Sequence, residues 1–108
     1  MAETIDPAKD PADALMKKML DAVKAGSYEA FVADATPKMK TAAKTAFGVA
    51  SGHLAPQLLK GYKTTYLGLL RKAGTSVHLW KLEPAGAPED YEIRLVLEGG
   101  KVGGFSIW

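Results

Sequence analysis

The stretch Tyr91-Glu92-Ile93-Arg94-Leu95-Val96-Leu97-Glu98-Gly99-Gly100-Lys101-Val102-Gly103-Gly104-Phe105-Ser106-Ile107-Trp108 decides the fold. Tyr91, Ile93, Leu95 and Leu97 alternate with Glu92, Arg94 and Glu98, so one face of a strand is apolar and the other wet. Gly99-Gly100 supplies two neighbouring positions that tolerate positive φ, which is what a two-residue hairpin turn requires, and a second strand follows. Gly103-Gly104 inside that second strand marks a bulge or a bend.

Working backward, the period-two pattern extends to Tyr62. Tyr62 to Arg71 and Thr75 to Glu83 are rich in Thr, Tyr, Leu, Val and Trp, with Lys72-Ala73-Gly74 as a hairpin loop between them. Pro84 to Asp90 reads as a solvent loop before the closing hairpin. Upstream of Gly61 the period is 3.6. Asp10-Pro11-Ala12-Asp13 reads as an N-cap, a proline at the first helical position and a carboxylate that suits the helix dipole. Leu15, Met16, Met19, Leu20 and Val23 then form one stripe, and Gly26 ends it. Ser27 caps a short second helix with Tyr28, Phe31 and Val32. Thr36-Pro37 opens a third with Met39, Ala43, Ala46, Phe47 and Ala50 on one side. Gly48 to Gly52 is expected to break that helix, with one or two more turns over Leu54 to Lys60 closed by Gly61. The expectation is a single α+β domain over 10–108, N-terminal helices packed on a strongly curved four-stranded antiparallel sheet, with 1–9 as a loose arm.

Composition excludes several function classes. The 108 residues contain no cysteine, which removes disulfides, thiolate zinc sites and thiol nucleophiles. The uncharged run Thr45 to Leu59 is too short to span a bilayer, so no membrane span is expected. The start lacks the basic and apolar regions of a secretory signal, which points to a cytoplasmic location unless a leader was trimmed. No nucleophile elbow, phosphate loop or dinucleotide fingerprint occurs, and no cofactor is expected.

Charge is segregated along the chain. Between Ala35 and Leu82 there is no Asp or Glu, while Lys38, Lys40, Lys44, Lys60, Lys63, Arg71, Lys72 and Lys81 give the segment +8; the two flanks carry −3 each, for a net +2. Such a segment attracts an anionic ligand or an acidic partner if folding keeps it together, and is a solvated face if folding interleaves it with the acidic flanks. With the whole chain near neutral and no recognition motif present, nucleic acid is not the expected partner.

The order of helices, a glycine-ended turn at Gly61 and four strands, closing on Leu97-Glu98-Gly99-Gly100-Lys101-Val102-Gly103-Gly104-Phe105-Ser106-Ile107, resembles the nuclear transport factor 2-like superfamily, the cystatin-like α+β roll. It is particularly similar to small bacterial members of unknown function that end in a glycine turn and a Gly-Phe strand. The resemblance implies a sheet curled around the helices into a cone, an apolar pocket at the wide end, and dimers formed through the sheet. The superfamily spans isomerases, dehydratases, cyclases and non-catalytic modules, so membership does not choose a function. The acid–base dyads of its isomerases and dehydratases have no clear counterpart in this chain.

Histidine is the natural acid–base candidate near neutrality. His78 shares a strand face with Ser76, Trp80 and Leu82, opposite Val77 and Leu79. If that face lines the cone, His78 beside Trp80, with Arg94 or Glu92 on a neighbouring strand, makes a small polar site in an aromatic wall; otherwise His78 lies on the solvent or dimer face. His53 falls in the glycine-rich break as a capping or surface residue, and nothing brings the two histidines to metal-ligand spacing, so no metal is expected. The leading expectation is therefore a non-catalytic homodimer, paired through the outer sheet face, that binds a small apolar or anionic ligand. Trp80, His78, Arg94, Lys40, Lys44 and Lys63 are its candidate contacts. The alternative is a small lyase or isomerase with His78 as base and Tyr66 or Arg94 polarising a carbonyl, and a third reading is a purely structural accessory domain.

Overall fold

The computed structural model describes residues 9–107. Most of the expected N-terminal arm lies outside them, as does Trp108. Helix α1 (Lys9–Ala25) begins one residue before Asp10, so Asp10 sits inside the helix and not at its cap. Pro11 falls within the first turn, where its missing N–H removes nothing because the first four helical donors have no partner inside the helix. Of the anticipated stripe, Met16, Met19, Leu20 and Val23 are all 3% exposed or less, Leu15 is half-buried, and Ala12 joins them in the core. Each large side chain buried in this way stabilises the fold by about 1.5–3 kcal/mol.

Gly26 ends α1 with φ +69. Its N–H donates to the Val23 carbonyl at 3.2 Å and the Ser27 N–H to the Ala22 carbonyl at 3.0 Å, the paired bonds of a Schellman ending. Ser27 at once caps α2 (Tyr28–Phe31), its hydroxyl accepting from the Ala30 N–H at 3.2 Å. Thr36 caps α3 (Pro37–Leu59) in the same way, through the Met39 N–H at 3.2 Å.

α3 runs unbroken through Gly48, Gly52 and Pro56, so the expected break and separate last turns are corrected to one helix of 23 residues. Glycine costs a helix interior about 1 kcal/mol, and packing on both sides of the glycines outweighs that cost. Phe47, Leu54 and Leu58 are buried, and the buried Ser51 hydroxyl donates to the Val23 carbonyl at 2.9 Å. His53 is accordingly an exposed residue of the helix body.

The sheet is a meander of β1 (Tyr62–Lys72), β2 (Thr75–Pro84), β3 (Tyr91–Glu98) and β4 (Lys101–Ile107), antiparallel and in the order β1-β2-β3-β4. Both tight turns have two central residues at positive φ: Gly99 and Gly100 at 57° and 83°, Ala73 and Gly74 at 49° and 80°. One face, bearing His78, Trp80, Leu82, Ile93 and Leu95, is buried with the helices in a single core, which makes the domain α+β in two layers. The sheet is open, with β1 and β4 as its edges. Register shifts fall between Tyr66 and Gly68 on β1, and on β4 around Gly103, where Val96 opposes Gly104 and Leu97 opposes Val102. The chain before α3 adds a short parallel bridge to the β4 edge. There the Val102 N–H donates to the Asp34 carbonyl at 2.8 Å, and the Thr36 N–H donates to the Val102 carbonyl at 2.9 Å.

Two glycine substitutions should move stability in opposite directions. Gly26→Ala forces a side chain into the left-handed region, while its Cβ would approach nothing nearer than the Ser51 hydroxyl at 3.8 Å, so the loss of about 1–2 kcal/mol comes from the backbone. Gly52→Ala places a methyl in open space on a helical residue and should gain about 0.5–1 kcal/mol. Urea unfolding midpoints of the two variants check both signs.

Candidate functional site

A largely apolar concavity lies between α3 and β4. Its α3 wall is the stripe Met39, Ala43, Phe47 and Leu54, its floor includes Phe31 of α2, and Phe105 closes the strand side around a groove of about 500 Å³. The volume exists because the helix presents alanines where larger residues would meet the sheet: Ala42, Ala43 and Ala50 all line it. Aromatic rings stiffen the closed side. Phe31 and Phe47 centroids are 4.8 Å apart, Phe31 and Phe105 meet edge to face at 5.5 Å, and Tyr28 packs edge-on against Phe47 at 5.8 Å. The Tyr28 hydroxyl donates to the Lys40 carbonyl and ties α2 to α3. Lys38 and Glu98 are the two charged side chains in the lining.

The candidates read from sequence fall in other places. His78 is 2% exposed and lies on the helix-covered face, with Trp80 fully enclosed beside it. The Tyr66 hydroxyl and His78 Nδ1 are 3.0 Å apart, and the His78 and Trp80 rings stack at 6.0 Å. Trp80 Nε1–H donates to Asp13 Oδ1 at 3.1 Å, and Lys17 holds the other carboxylate oxygen of Asp13 at 3.0 Å. The structure thus unites Tyr66, His78 and Trp80, but as a closed polar cluster under α1 that does not line the α3–β4 groove. Arg94 does not join it. His78 is opposite Leu95, which sends Arg94 to the outer face across from Leu79, where its Nε donates to Glu92 Oε1 at 2.8 Å.

The basic residues are dispersed. Because α3 is continuous, Lys40 and Lys60 are separated along its axis by about 30 Å at 1.5 Å per residue, so the helix lysines do not converge with Lys63 at one mouth. Lys40 and Lys44 are exposed outside the groove lining, and Lys63 faces Glu83 across β1 and β2. Lys81 is held near Glu83 at 3.7 Å and Asp90 at 3.8 Å, an interleaving of the +8 segment with acidic flank residues. Among the described residues no three His, Asp or Glu side chains gather in a way that would hold a metal. Among the described residues no helix is long and apolar enough to cross a membrane. Burial first, then the Asp21 carboxylate, hold the Tyr62 hydroxyl above its ordinary value, against an opposing pull from Lys17, so it stays protonated at neutral pH.

Sequence reasoning passed over the groove because its wall reads as an ordinary core stripe. The available signal was the run of alanines, Ala42, Ala43 and Ala50, opposite a strand containing Gly103-Gly104: small residues on both sides leave volume. Comparison with family models, with curated proteins and with solved structures returns no match for this chain.

The Trp80 cluster carries a stability prediction. Asp13→Ala removes the acceptor of a fully buried indole N–H and should cost about 1–3 kcal/mol, whereas Asp13→Asn keeps an oxygen in place and should recover most of it. Guanidinium unfolding of the two variants measures the difference.

Proposed function

We propose that this chain is a non-catalytic binding module whose α3–β4 groove takes a small, largely apolar ligand. The carrying observation is the groove itself: about 500 Å³, walled by Met39, Phe47, Leu54 and Phe105, falls in the range of roughly 300–1,000 Å³ typical of small-molecule sites. Lys38 and Glu98 in the lining suit a polar head that both accepts and donates hydrogen bonds. Of the basic residues, Lys38 alone favours a carboxylate there, and Glu98 opposes it, so the apolar part of the ligand supplies the affinity.

The layout of helices followed by a meander supports keeping the nuclear transport factor 2-like resemblance as a proposal. The resemblance implies a sheet curled into a cone with an apolar pocket at its wide end, whereas the groove here lies between α3 and the β4 edge of an open sheet. His78 as a general base gains no support from its surroundings: it is buried in the Tyr66–Trp80 cluster, and Arg94 lies on the opposite face of the sheet.

Thermal shift against straight-chain alcohols, carboxylates and amines of matched length tests the reading. A ligand at a hundred times its Kd should stabilise the fold by about 2.7 kcal/mol. Ala50→Trp, which fills the groove from an exposed helix position, should abolish the shift for all three classes. Lys38→Gln should weaken the carboxylates by about two- to fivefold and spare the alcohols, as expected for an exposed ion pair. No shift with any chain length would remove the groove as a ligand site and leave the domain a structural module.

A further inference from the structure

The two edges of the sheet differ in how they are guarded. β1 carries Lys63, Arg71 and Lys72 and a register shift at Gly68, devices that discourage pairing with another strand. An antiparallel pairing of β1 with its own copy about its centre would set Lys63 against Arg71, and like charges directly opposite one another destabilise. β4 from Val102 to Ile107 contains no charge and no proline. Its outer side already accepts a strand at one point, since both backbone groups of Val102 bond to Asp34 and Thr36. Beyond the bulge at Gly103 no described strand continues that pairing.

From these features we infer that β4 is a homodimer edge: a second copy of this chain pairs antiparallel with it about a two-fold axis at Phe105. Val102 turns its backbone groups away from β3, and the alternation of an antiparallel ladder, resumed after the bulge, turns those of Phe105 and Ile107 the same way. An antiparallel strand paired with itself is two-fold symmetric by construction. In this register Phe105 opposes Phe105 of the second copy, an aromatic cross-strand pair on the helix-covered side, and Ile107 falls opposite Gly103. None of the paired positions, 103 to 107, carries a charge. Residues directly opposite in an antiparallel pair share a face, so the helices of both copies lie on the same side of one continuous sheet. The α3–β4 grooves then adjoin across the axis, and the exposed Ala42 and Ala50 flanks face a second protein surface instead of water. This differs from pairing through the outer face, which carries the Lys81–Glu83, Lys81–Asp90 and Arg94–Glu92 contacts.

Sedimentation equilibrium of the ligand-free chain, from micromolar to near-millimolar concentration, tests this independently of the groove ligand. The expected species has twice the 11.5 kDa chain mass. Ser106→Lys adds a charge at an exposed edge position on each side of the axis and should raise the dimer Kd by about tenfold or more, with far-UV circular dichroism unchanged. Leu79→Lys, on the outer face, should leave the Kd unaltered. Because the chain has no cysteine, Phe105→Cys provides a second readout. Opposed residues at an axis fall within disulfide reach, so mild oxidation should cross-link Phe105→Cys and leave Leu70→Cys, on the far edge, monomeric under denaturation. A monomer at every concentration overturns the inference. So does a dimer that Leu79→Lys disrupts and Ser106→Lys does not, which would move the interface to the outer face.

Discussion

A fully enclosed tryptophan constrains everything above it. Trp80 sits at the centre of the covered sheet face, and its indole N–H needs an acceptor where no water reaches. Asp13 supplies one from the first turns of α1, so the carboxylate has to arrive from the helix layer, with Lys17 beside it to offset its charge. An unsatisfied buried donor costs about 1–3 kcal/mol, and this single bond therefore fixes where along the sheet α1 can lie. With α1 placed, Met16, Leu20 and Val23 fall into the core shared with Leu82, Ile93 and Leu95. The Schellman ending at Gly26 then turns the chain into α2, and the Val23 carbonyl, bonded by both the Gly26 N–H and the Ser51 hydroxyl, joins the end of α1 to the middle of α3.

The two halves of the inner layer are packed differently. Under α1 the space is filled by large rings and its polar atoms are satisfied in place: Tyr66 with His78, Trp80 with Asp13. Under α3 the helix offers alanine after alanine and the strand offers glycine, so the aromatic trio Phe31, Phe47 and Phe105 meets a void at its margin. The histidine of the filled half, His78, meets the Tyr66 hydroxyl and stacks on Trp80. The chemistry available in the open half is that of apolar burial, with one cation and one anion among the lining side chains.

The parts of this arrangement that depend on neighbouring residues were readable in the chain. Thr36-Pro37 and Ser27 name their own caps, Gly99-Gly100 names its turn, and the alternation of Ile93 and Leu95 with Arg94 names the buried face. The continuity of α3 was not readable, because two glycines and a proline argue locally for a break; the side chains that hold the helix together, Ser51 on Val23 among them, act across 28 positions of sequence. The site followed the same division. Tyr66, His78 and Trp80 were brought together by strand pairing, which period and turn length dictate. Arg94 was lost from the set by one step of parity, and the groove went unseen because a volume between two elements is not a property of either one.

Strand order in this sheet repeats chain order, and both hairpins that flank β1–β2 and β3–β4 close through two residues, so most of the sheet can zip from contacts made within a few tens of positions. The exception is the bridge between Ala35 and Val102, which spans most of the described chain. Loop closure of that length is slow to be recovered in folding compared with local pairing, and proteins rich in local contacts fold fastest. The bridge thus separates an early stage, in which helices and hairpins form on their own sides of Gly61, from a late one, in which the entry to α3 is stitched onto β4. Lys38 and Gly103, close in the chain to the stitched Thr36 and Val102, line the α3–β4 groove, so the cavity takes its final shape only once that pairing has formed.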